Sequence, residues 1–360
     1  MCKVYNQIGS LTVIKSHLNA NGIYEYRSVR DLIDFRDNYS TAREQIIEDH
    51  RVLIDEERNT LPGEITQLAD FIKTKRQETE QQLQSELERL KQQLDVLSSH
   101  NSNIIQVIGN NVKKIGIKRN IRNSERTFNS KIESSHSHLT NDYNEKKHRY
   151  EYINSNFDDA VTDSYLPHAK ELDRKKRIID YLNSSIYGAL GEQKVVKELE
   201  KLSDDHILIN DFNCAFRPSI YNKAEDDHIM SIQIDHILVS SSGVFIIETK
   251  NWSKQSLNDR NFFSPVKQVK RTNFALYLLL NGHKKSFLNK HPWGDTKIPI
   301  RNLVVFTGQK PTEEFQYVKL LALNDMLGYI NYFKPCLSEF ETQQIATYLL
   351  NLTTKNKSIL

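Results

Sequence analysis

Two carboxylates and one ammonium group are expected at one end of a β-hairpin in the second half of the chain. Two β-rich runs, 233–239 and 244–250, flank a Ser/Gly turn, and this pattern is typical of a hairpin. A symmetric turn pairs Asp235 with Glu248. Directly opposed residues share one face of the sheet, and Lys250, two residues beyond Glu248, lies on that face too.

This grouping of charges suggests hydrolytic chemistry. Opposed carboxylates repel each other, and a divalent cation such as Mg²⁺, which binds carboxylate oxygens, backbone carbonyls and water, offsets the repulsion. Lys250 beside such a site could orient or deprotonate a water molecule and stabilise developing negative charge. The alternative is a structural salt bridge between Lys250 and Asp235 or Glu248. The hairpin by itself leaves both interpretations open.

The elements around the hairpin alternate between strand and helix patterns, which predicts a mixed α/β sheet domain. The hairpin strands are apolar on both faces, so we expect a central strand pair that is covered on both sides. A histidine inside this pair, His236, is predicted to be a packed core residue. The strand patterns cover 207–209, 232–239, 244–247 and 303–306, and the helix patterns cover 191–202 and 266–280.

The first half of the chain has the pattern of long helices. Its apolar residues recur at close to seven-residue spacing, and between Gly22 and Gly109 the only helix breakers are Pro62 and Gly63. We therefore predict an antiparallel helical hairpin that turns at Pro62. A polar break is expected at 101–116, and Pro167 is expected to end or kink a further helix. The periodic stretches are 32–53, 65–97 and 121–157, followed by a basic helix over 171–182.

Two roles are open for these helices. They could form a stalk for oligomerisation or partner binding, or a plain intramolecular bundle. Residues 1–27 remain unassigned, with a candidate short strand at 11–14. The sequence thus predicts an α+β multidomain chain that divides into 1–27, a helical or coiled-coil region at 28–183, and an α/β domain at 184–360.

Several classes of protein are excluded by composition. The longest apolar run has seven residues, from Phe274 to Leu280, whereas a membrane-spanning helix needs about 20. The N-terminus lacks the pattern of a secretory signal. The cysteines, Cys2, Cys214 and Cys336, are dispersed, which excludes a disulfide framework and a cysteine zinc site. We expect a cytoplasmic protein without a membrane segment.

The segment 233–252 resembles the core of the NERD (nuclease-related) domain, a member of the PD-(D/E)xK nuclease superfamily. The metal-site motif of that superfamily is an Asp, a hairpin turn and Glu-x-Lys, which correspond to Asp235 and Glu248-Thr249-Lys250. Residues 187–192 look like the Gly-x-x-Gly-Glu that opens the first helix of NERD domains. Residues 264–268 look like the Asn-Pro-x-x-Gln of the family, with Ser in place of Asn. Serine also caps helix N-termini.

This resemblance spans about 185–305 and implies a restriction-endonuclease-like fold with a mixed central sheet. It implies a divalent metal, Mg²⁺ or Mn²⁺, held by Asp235, Glu248 and the Thr249 carbonyl, with Lys250 as the catalytic lysine. Glu192 would be an auxiliary acid, and Gln268 would support the site. For Glu192 the alternative is a favourable interaction with the dipole of its own helix.

Positive charge is concentrated directly after this site. The segment 250–301 has a net charge of +9 in a chain whose net charge is +3. Such a cluster favours sequence-independent binding of phosphate groups; the alternative is a solvated basic face. The candidate nucleic-acid-binding residues are Lys267, Lys270, Arg271, Lys284, Lys285 and Trp252, whose ring could stack on a base or pack at the rim.

Together these observations predict a metal-dependent endonuclease that hydrolyses phosphodiester bonds of DNA. The helical region would form a homodimer or bind a protein partner, and the resemblance extends to a role in defence against foreign DNA. The alternatives are a catalytically inactive nucleic-acid-binding or scaffold protein on the same fold, and a helical interaction protein. The sequence does not distinguish DNA from RNA as the substrate.

Overall fold

Residues 1–99, 104–252, 263–282 and 297–357 are described by the structure, a computed structural model. The chain divides into two compact units, one formed by Met1–Asp37 with Arg174–Leu360 and the other by Asn38–Asp173. This division differs from the predicted boundaries at 28 and 184. Residues at both ends of the long helical region share one apolar core with the N-terminal segment, so they belong to the first unit.

The first unit contains a six-stranded mixed sheet whose strands lie in sequence order. The first two strands are parallel, the second, third and fourth are antiparallel, and the last three are parallel. A mixed central sheet was predicted, and the structure confirms it. The strands are β1 (Lys3–Tyr5), β2 (Ile207–Asn222), β3 (Asp227–Ser240), β4 (Gly243–Lys250), β5 (Ile300–Phe306) and β6 (Lys319–Ala322).

Helices cover both faces of this sheet. On one face, α6 (Phe263–Asn281) and α8 (Glu339–Lys357) pack against a core that includes Ile246. On the other face, α5 (Asn183–Leu199) and α7 (Met326–Asn331) pack against a core that includes Phe245. The central hairpin is therefore apolar on both faces because helices bury both faces, as its sequence predicted.

The N-terminal segment is mostly helical. The predicted strand at 11–14 is wrong, because these residues lie in α1 (Gly9–Ala20) and the N-terminal strand is β1. Ile14 and Leu18 are both buried and lie one helical turn apart, which is the spacing of a helix and not of a strand. They share an apolar core with residues of α5.

The first long helix, α2 (Val29–Ser99), continues through Pro62. The prediction that the chain turns there is wrong. An interior proline costs a helix about 3 kcal/mol, and the packing of the preceding Leu61 in a buried cluster with Ile54 and Ile153 offsets that cost. Leu53, the last apolar residue of the periodic stretch 32–53, is 54% exposed, and the buried residue is its neighbour Ile54.

The partner of α2 is α3 (Ile104–Ser155), and the two helices run antiparallel. Glu57 of α2 pairs with Arg149, and Lys91 of α2 pairs with Glu125. An antiparallel helical hairpin is thus present. The predicted polar break at 101–116 is wrong for 104–116, which are helical, and 100–103 lie outside the described residues.

The next helix, α4 (Phe157–Tyr181), contains Pro167 in its interior. The chain breaks at Asn156 instead, between α3 and α4. Val161 and Ala169, on either side of the proline, are both buried, and their packing holds the helix through it. Within the described residues, no helix is long and apolar enough to cross a membrane.

Candidate active site

The β3–β4 hairpin has the predicted register. Val239 pairs with Val244 and His236 pairs with Ile247, so the next residues along the two strands are Asp235 and Glu248. Beyond the last ladder pair, the backbone N–H of Thr249 donates a hydrogen bond of 2.8 Å to Oδ2 of Asp235. The symmetric turn therefore sets both carboxylates at one end of the hairpin.

Glu248 lies at the centre of the candidate site. Its side chain is 3% exposed, and each of its oxygens has a partner. Nζ of Lys250 lies 2.7 Å from Oε1, and Nε2 of Gln268 on α6 donates a hydrogen bond of 3.0 Å to Oε2. Two of the other predicted site residues thus contact Glu248.

Glu192 belongs to the same electrostatic cluster although it comes from α5, on the other side of the sheet. Glu192 is 7% exposed. The charge of Glu192 contributes to raising the pKa of both Glu248 and Lys250, and the charge of Asp235 contributes to raising the pKa of Glu192. The structure therefore brings four predicted site residues into one group of interacting charges.

Two glycines allow α5 to come this close. A Cβ atom at Gly191 would lie 3.1 Å from Cβ of Asn251 and 3.3 Å from Cγ2 of Thr249, at the end of β4. A Cβ atom at Gly188 would lie 3.1 Å from Oγ of Ser10 in α1. The two glycines of the predicted helix-opening motif thus face different neighbours: Gly191 faces the end of β4, and Gly188 faces α1. A side chain at either position would push α5 away from that neighbour.

Burial sets the protonation chemistry of the cluster. It raises the pKa of Glu192 and of Glu248 to about 7, with neighbouring carboxylates adding to the effect. Burial also raises the pKa of Asp235. For Lys250, burial lowers the pKa, but the charges of Glu248, Asp235 and Glu192 outweigh it and the net shift is upward. The lysine stays charged at neutral pH, whereas the two glutamates exchange protons there.

The residues of this cluster lie within a segment of the chain that matches the model of a known protein family. Residues 187–307 match the family model NERD, the nuclease-related domain. The chain contains a NERD domain. Comparison with curated proteins and with solved structures finds no match. The matched range contains Glu192, Asp235, Glu248, Lys250 and Gln268, and it leaves out the long helices and everything before residue 187.

Two residues near the cluster of the NERD domain were not predicted. Ser10, in α1, donates a short hydrogen bond from its hydroxyl to Oε1 of Glu192. Asp211 has a positive φ of 48° and makes no ladder pair with β3, although the β2–β3 register is the same on either side of it. Its charge raises the pKa of Asp235 and Glu192. An Asn-Asp pair after the apolar run 207–209 was a usable signal for Asp211; Ser10 offered none.

The ligand chemistry of the NERD site fits a divalent cation. Among the described residues, no group of three or more His, Cys, Asp and Glu side chains is already arranged to hold a metal ion. The oxygens of Asp235 and Glu248 are nevertheless the hard ligands that Mg²⁺ and Mn²⁺ accept. Both carboxyl groups have raised pKa values because they are buried, and a bound cation would favour their charged form.

The predicted nucleic-acid-binding residues of the NERD domain lie in different environments. Lys267 and Lys270 are exposed on α6. Arg271 pairs instead with Asp227 at 2.6 Å and donates to the carbonyl of Ser231, so it holds the start of β3 against α6. Two further candidates, Lys284 and Lys285, lie outside the described residues.

The three remaining side chains, those of Trp252, His236 and Thr249, are partly or fully buried in the fold. Trp252 is half-buried and packs edge-to-face on Phe306, with ring centroids 5.3 Å apart, which fits the rim-packing alternative. His236 is fully buried, with Nδ1 2.7 Å from Oδ1 of Asn210, and burial lowers its pKa to about 3. It is a core residue, as predicted. Thr249 is buried, and its Oγ1 has no partner among the described residues.

Proposed function

We propose that the NERD domain is a metal-dependent nuclease that hydrolyses phosphodiester bonds of DNA. The observation that carries the proposal is the 2.7 Å contact of the half-buried Lys250 with the buried Glu248, next to Asp235. Burying a lysine with several carboxyl groups is costly for stability, and such groups cluster where chemistry requires shifted pKa values.

Each residue has a distinct role in the proposed reaction. Asp235, Glu248 and the backbone carbonyl of Thr249 would hold Mg²⁺ or Mn²⁺. When bound, such an ion polarises the phosphate and lowers the pKa of a water molecule. The Nζ ammonium of Lys250 stays charged and offers hydrogen bonds to the attacking water or to a phosphate oxygen. Gln268 fixes the orientation of the Glu248 carboxylate through its 3.0 Å hydrogen bond.

Glu192 is suited to proton transfer in this scheme. A general acid or base works best when its pKa is close to the working pH, and burial raises the pKa of Glu192 to about 7. Its carboxyl group can therefore accept a proton from water, or return one to the leaving oxygen, near neutral pH.

The charge distribution supports a polyanionic substrate. The segment 250–301 carries a net charge of +9 and includes the exposed Lys267 and Lys270 on the helix that also carries Gln268. Phosphate contacts of this kind bind nucleic acid without reading its sequence. We therefore propose DNA binding through the backbone, with affinity that falls steeply as salt increases.

The helical hairpin is proposed to join two copies of the chain into a dimer or to bind a protein partner. The dispersed cysteines support a reducing cytoplasmic setting. Defence against foreign DNA is the biological role that the resemblance to other nucleases of the superfamily supports.

The test of the nuclease proposal compares the wild type with Lys250→Met and Asp235→Asn. Each protein is incubated with supercoiled plasmid, single-stranded DNA and RNA, in Mg²⁺, Mn²⁺ or EDTA. We expect cleavage by the wild type that requires the metal. Each variant should lose about 10²-fold or more in rate, the usual contribution of one positioned catalytic group.

Lys197→Met is the matched control, because Lys197 is an exposed lysine of α5. It should cleave like the wild type. Equal activity in the wild type and both site variants would refute the site assignment. A wild-type protein that binds DNA but never cuts it would favour the alternative, an inactive nucleic-acid-binding protein.

A further inference from the structure

The contact between α1 and Glu192 crosses 182 residues of sequence. The Ser10 hydroxyl donates to Oε1 of Glu192, and the Ser10 backbone N–H donates to Oε2 over 3.5 Å. Both carboxylate oxygens are therefore held by one residue. Ser10 lies well before the range that matches the NERD family.

Two glycines provide the room for this contact. Gly188, one turn before Glu192 on α5, leaves space for the Ser10 hydroxyl, because a Cβ atom there would lie 3.1 Å from Oγ. At Gly9, a Cβ atom would lie 2.8 Å from Oδ1 of Asp211. The first residues of α1 are thus packed between α5 and Asp211 of β2.

The position of α1 is fixed by its packing. Ile14 and Leu18 share a buried core with Ile186 and Ala189 of α5. At the other end of α1, Nη1 of Arg174 donates a hydrogen bond of 3.0 Å to the carbonyl of Asn21. Ser10 therefore meets Glu192 from a rigid element, which is the arrangement that holds a functional side chain in one geometry.

The start of α1 also lacks a cap of its own. Ile8, the capping residue, makes no side-chain hydrogen bond to the helix, and the first turn contains no acidic residue. A carboxylate is the favoured partner of such free backbone N–H groups. Glu192 supplies that carboxylate from α5, so the interaction satisfies both partners.

We propose that Ser10 is a positioning residue that holds the Glu192 carboxylate in its working orientation in the nuclease site. This inference rests on the proposed nuclease function. It means that the catalytic unit of this chain extends beyond the NERD match and includes the N-terminal helix α1.

The kinetic test uses Ser10→Ala in the full-length protein. The kcat for plasmid cleavage should fall about tenfold or more, the equivalent of one hydrogen bond to a charged group. KM should stay close to wild type and the protein should remain folded, because α1 keeps its apolar packing. Ser16→Ala is the matched control, since Ser16 is an exposed serine of the same helix, and it should leave kcat unchanged.

A second variant tests the mechanism independently. Gly188→Ala places a methyl group 3.1 Å from Oγ of Ser10 and should lower kcat by displacing the hydroxyl. In the Ser10→Ala background the hydroxyl is gone, so Gly188→Ala should have almost no further effect. If Gly188→Ala lowered kcat by the same factor in the Ser10→Ala background as in the wild type, the proposal would be contradicted.

Melting temperatures test the contact without relying on cleavage. They are measured in EDTA for Ser10→Ala, Glu192→Gln and the double variant. Contacting residues should give non-additive shifts, and additive shifts would overturn the contact. A wild-type protein that does not cleave would refute the nuclease function and this proposal together. If Glu192→Gln is impaired but Ser10→Ala cleaves like the wild type, only the role of Ser10 is refuted.

Discussion

The buried glutamates make the protein sensitive to pH even without substrate. Burial raises the pKa of Glu192 from its ordinary value of 4.5 to about 7. The folded state then holds the proton more tightly than the unfolded chain does. The free energy of unfolding therefore falls as the pH rises from about 4.5 to about 7, and it stays low above that range. For one such group the loss is on the order of 3 kcal/mol.

Replacing this carboxyl group with a neutral amide should therefore stabilise the metal-free protein at high pH. We expect Glu192→Gln, in EDTA at pH 8, to melt several degrees above the wild type, because Gln needs no charge in the buried site. The difference should shrink towards pH 5, where Glu192 is protonated. Thermal melts at several pH values measure this. Glu225→Gln, at an exposed position, is the control and should melt like the wild type at every pH.

At the scale of elements, the site depends on the close contact between α5 and the end of β4. Gly191 is buried there, and its missing side chain lets Thr249, Asn251 and Thr307 approach. Since α5 carries Glu192 and β4 carries Glu248, the separation of these elements sets the distance between two proposed catalytic carboxyls.

We expect Gly191→Ala to destabilise the first unit by about 1–3 kcal/mol, the usual cost of overpacking a core. It should also lower cleavage, because α5 must move away from β4. Gly63→Ala is the matched control. Gly63 is also helical, but it has nothing within 4 Å of its missing Cβ, so alanine should add about 0.5–1 kcal/mol of stability. Calorimetry resolves both changes, and equal effects of the two substitutions would contradict the packing argument.

At the scale of the whole molecule, the chain leaves the first unit and returns to it at neighbouring points. The second unit, Asn38–Asp173, begins and ends close together, because the hydroxyl of Tyr39 donates a hydrogen bond to Oδ1 of Asp173. Arg43 lies 3.7 Å from the same carboxylate. The helical hairpin is thus an insertion into the first unit, since α1 precedes it and α5 follows it.

This insertion predicts which truncation keeps the proposed nuclease activity. Replacing 38–173 with a short Gly/Ser linker should leave metal-dependent cleavage within a few-fold of wild type, because Ser10 and Glu192 are both retained. Removing 1–180 should abolish it, because α1 and its core with α5 are lost. Light scattering on the same proteins should show a dimer for the full chain and a monomer for the internal deletion. A monomeric full-length chain would contradict the proposed dimer.

Local patterns in the sequence were sufficient for the hairpin and its charges. A Ser/Gly turn between two β-rich runs fixed the register that places Asp235 with Glu248, because side-chain direction in strands alternates strictly. The same patterns predicted the mixed sheet and the long helices before it, but not which helices pair. They failed at Pro62 and at 104–116. At Pro62, burial along the helix outweighs the cost of one proline. At 104–116, extending a helix that is already formed costs little even where the residues are polar.

The sequence by itself determined which residues form the charged end of the β3–β4 hairpin and that long helices precede this domain. Tertiary structure decided that Gln268 contacts Glu248, how deeply Glu192 is buried, and that Ser10 and Asp211 join the cluster. The reason is physical. Strand register and helix periodicity act over a few residues, whereas the meeting of α1 with α5 depends on apolar burial between segments that are far apart in the chain.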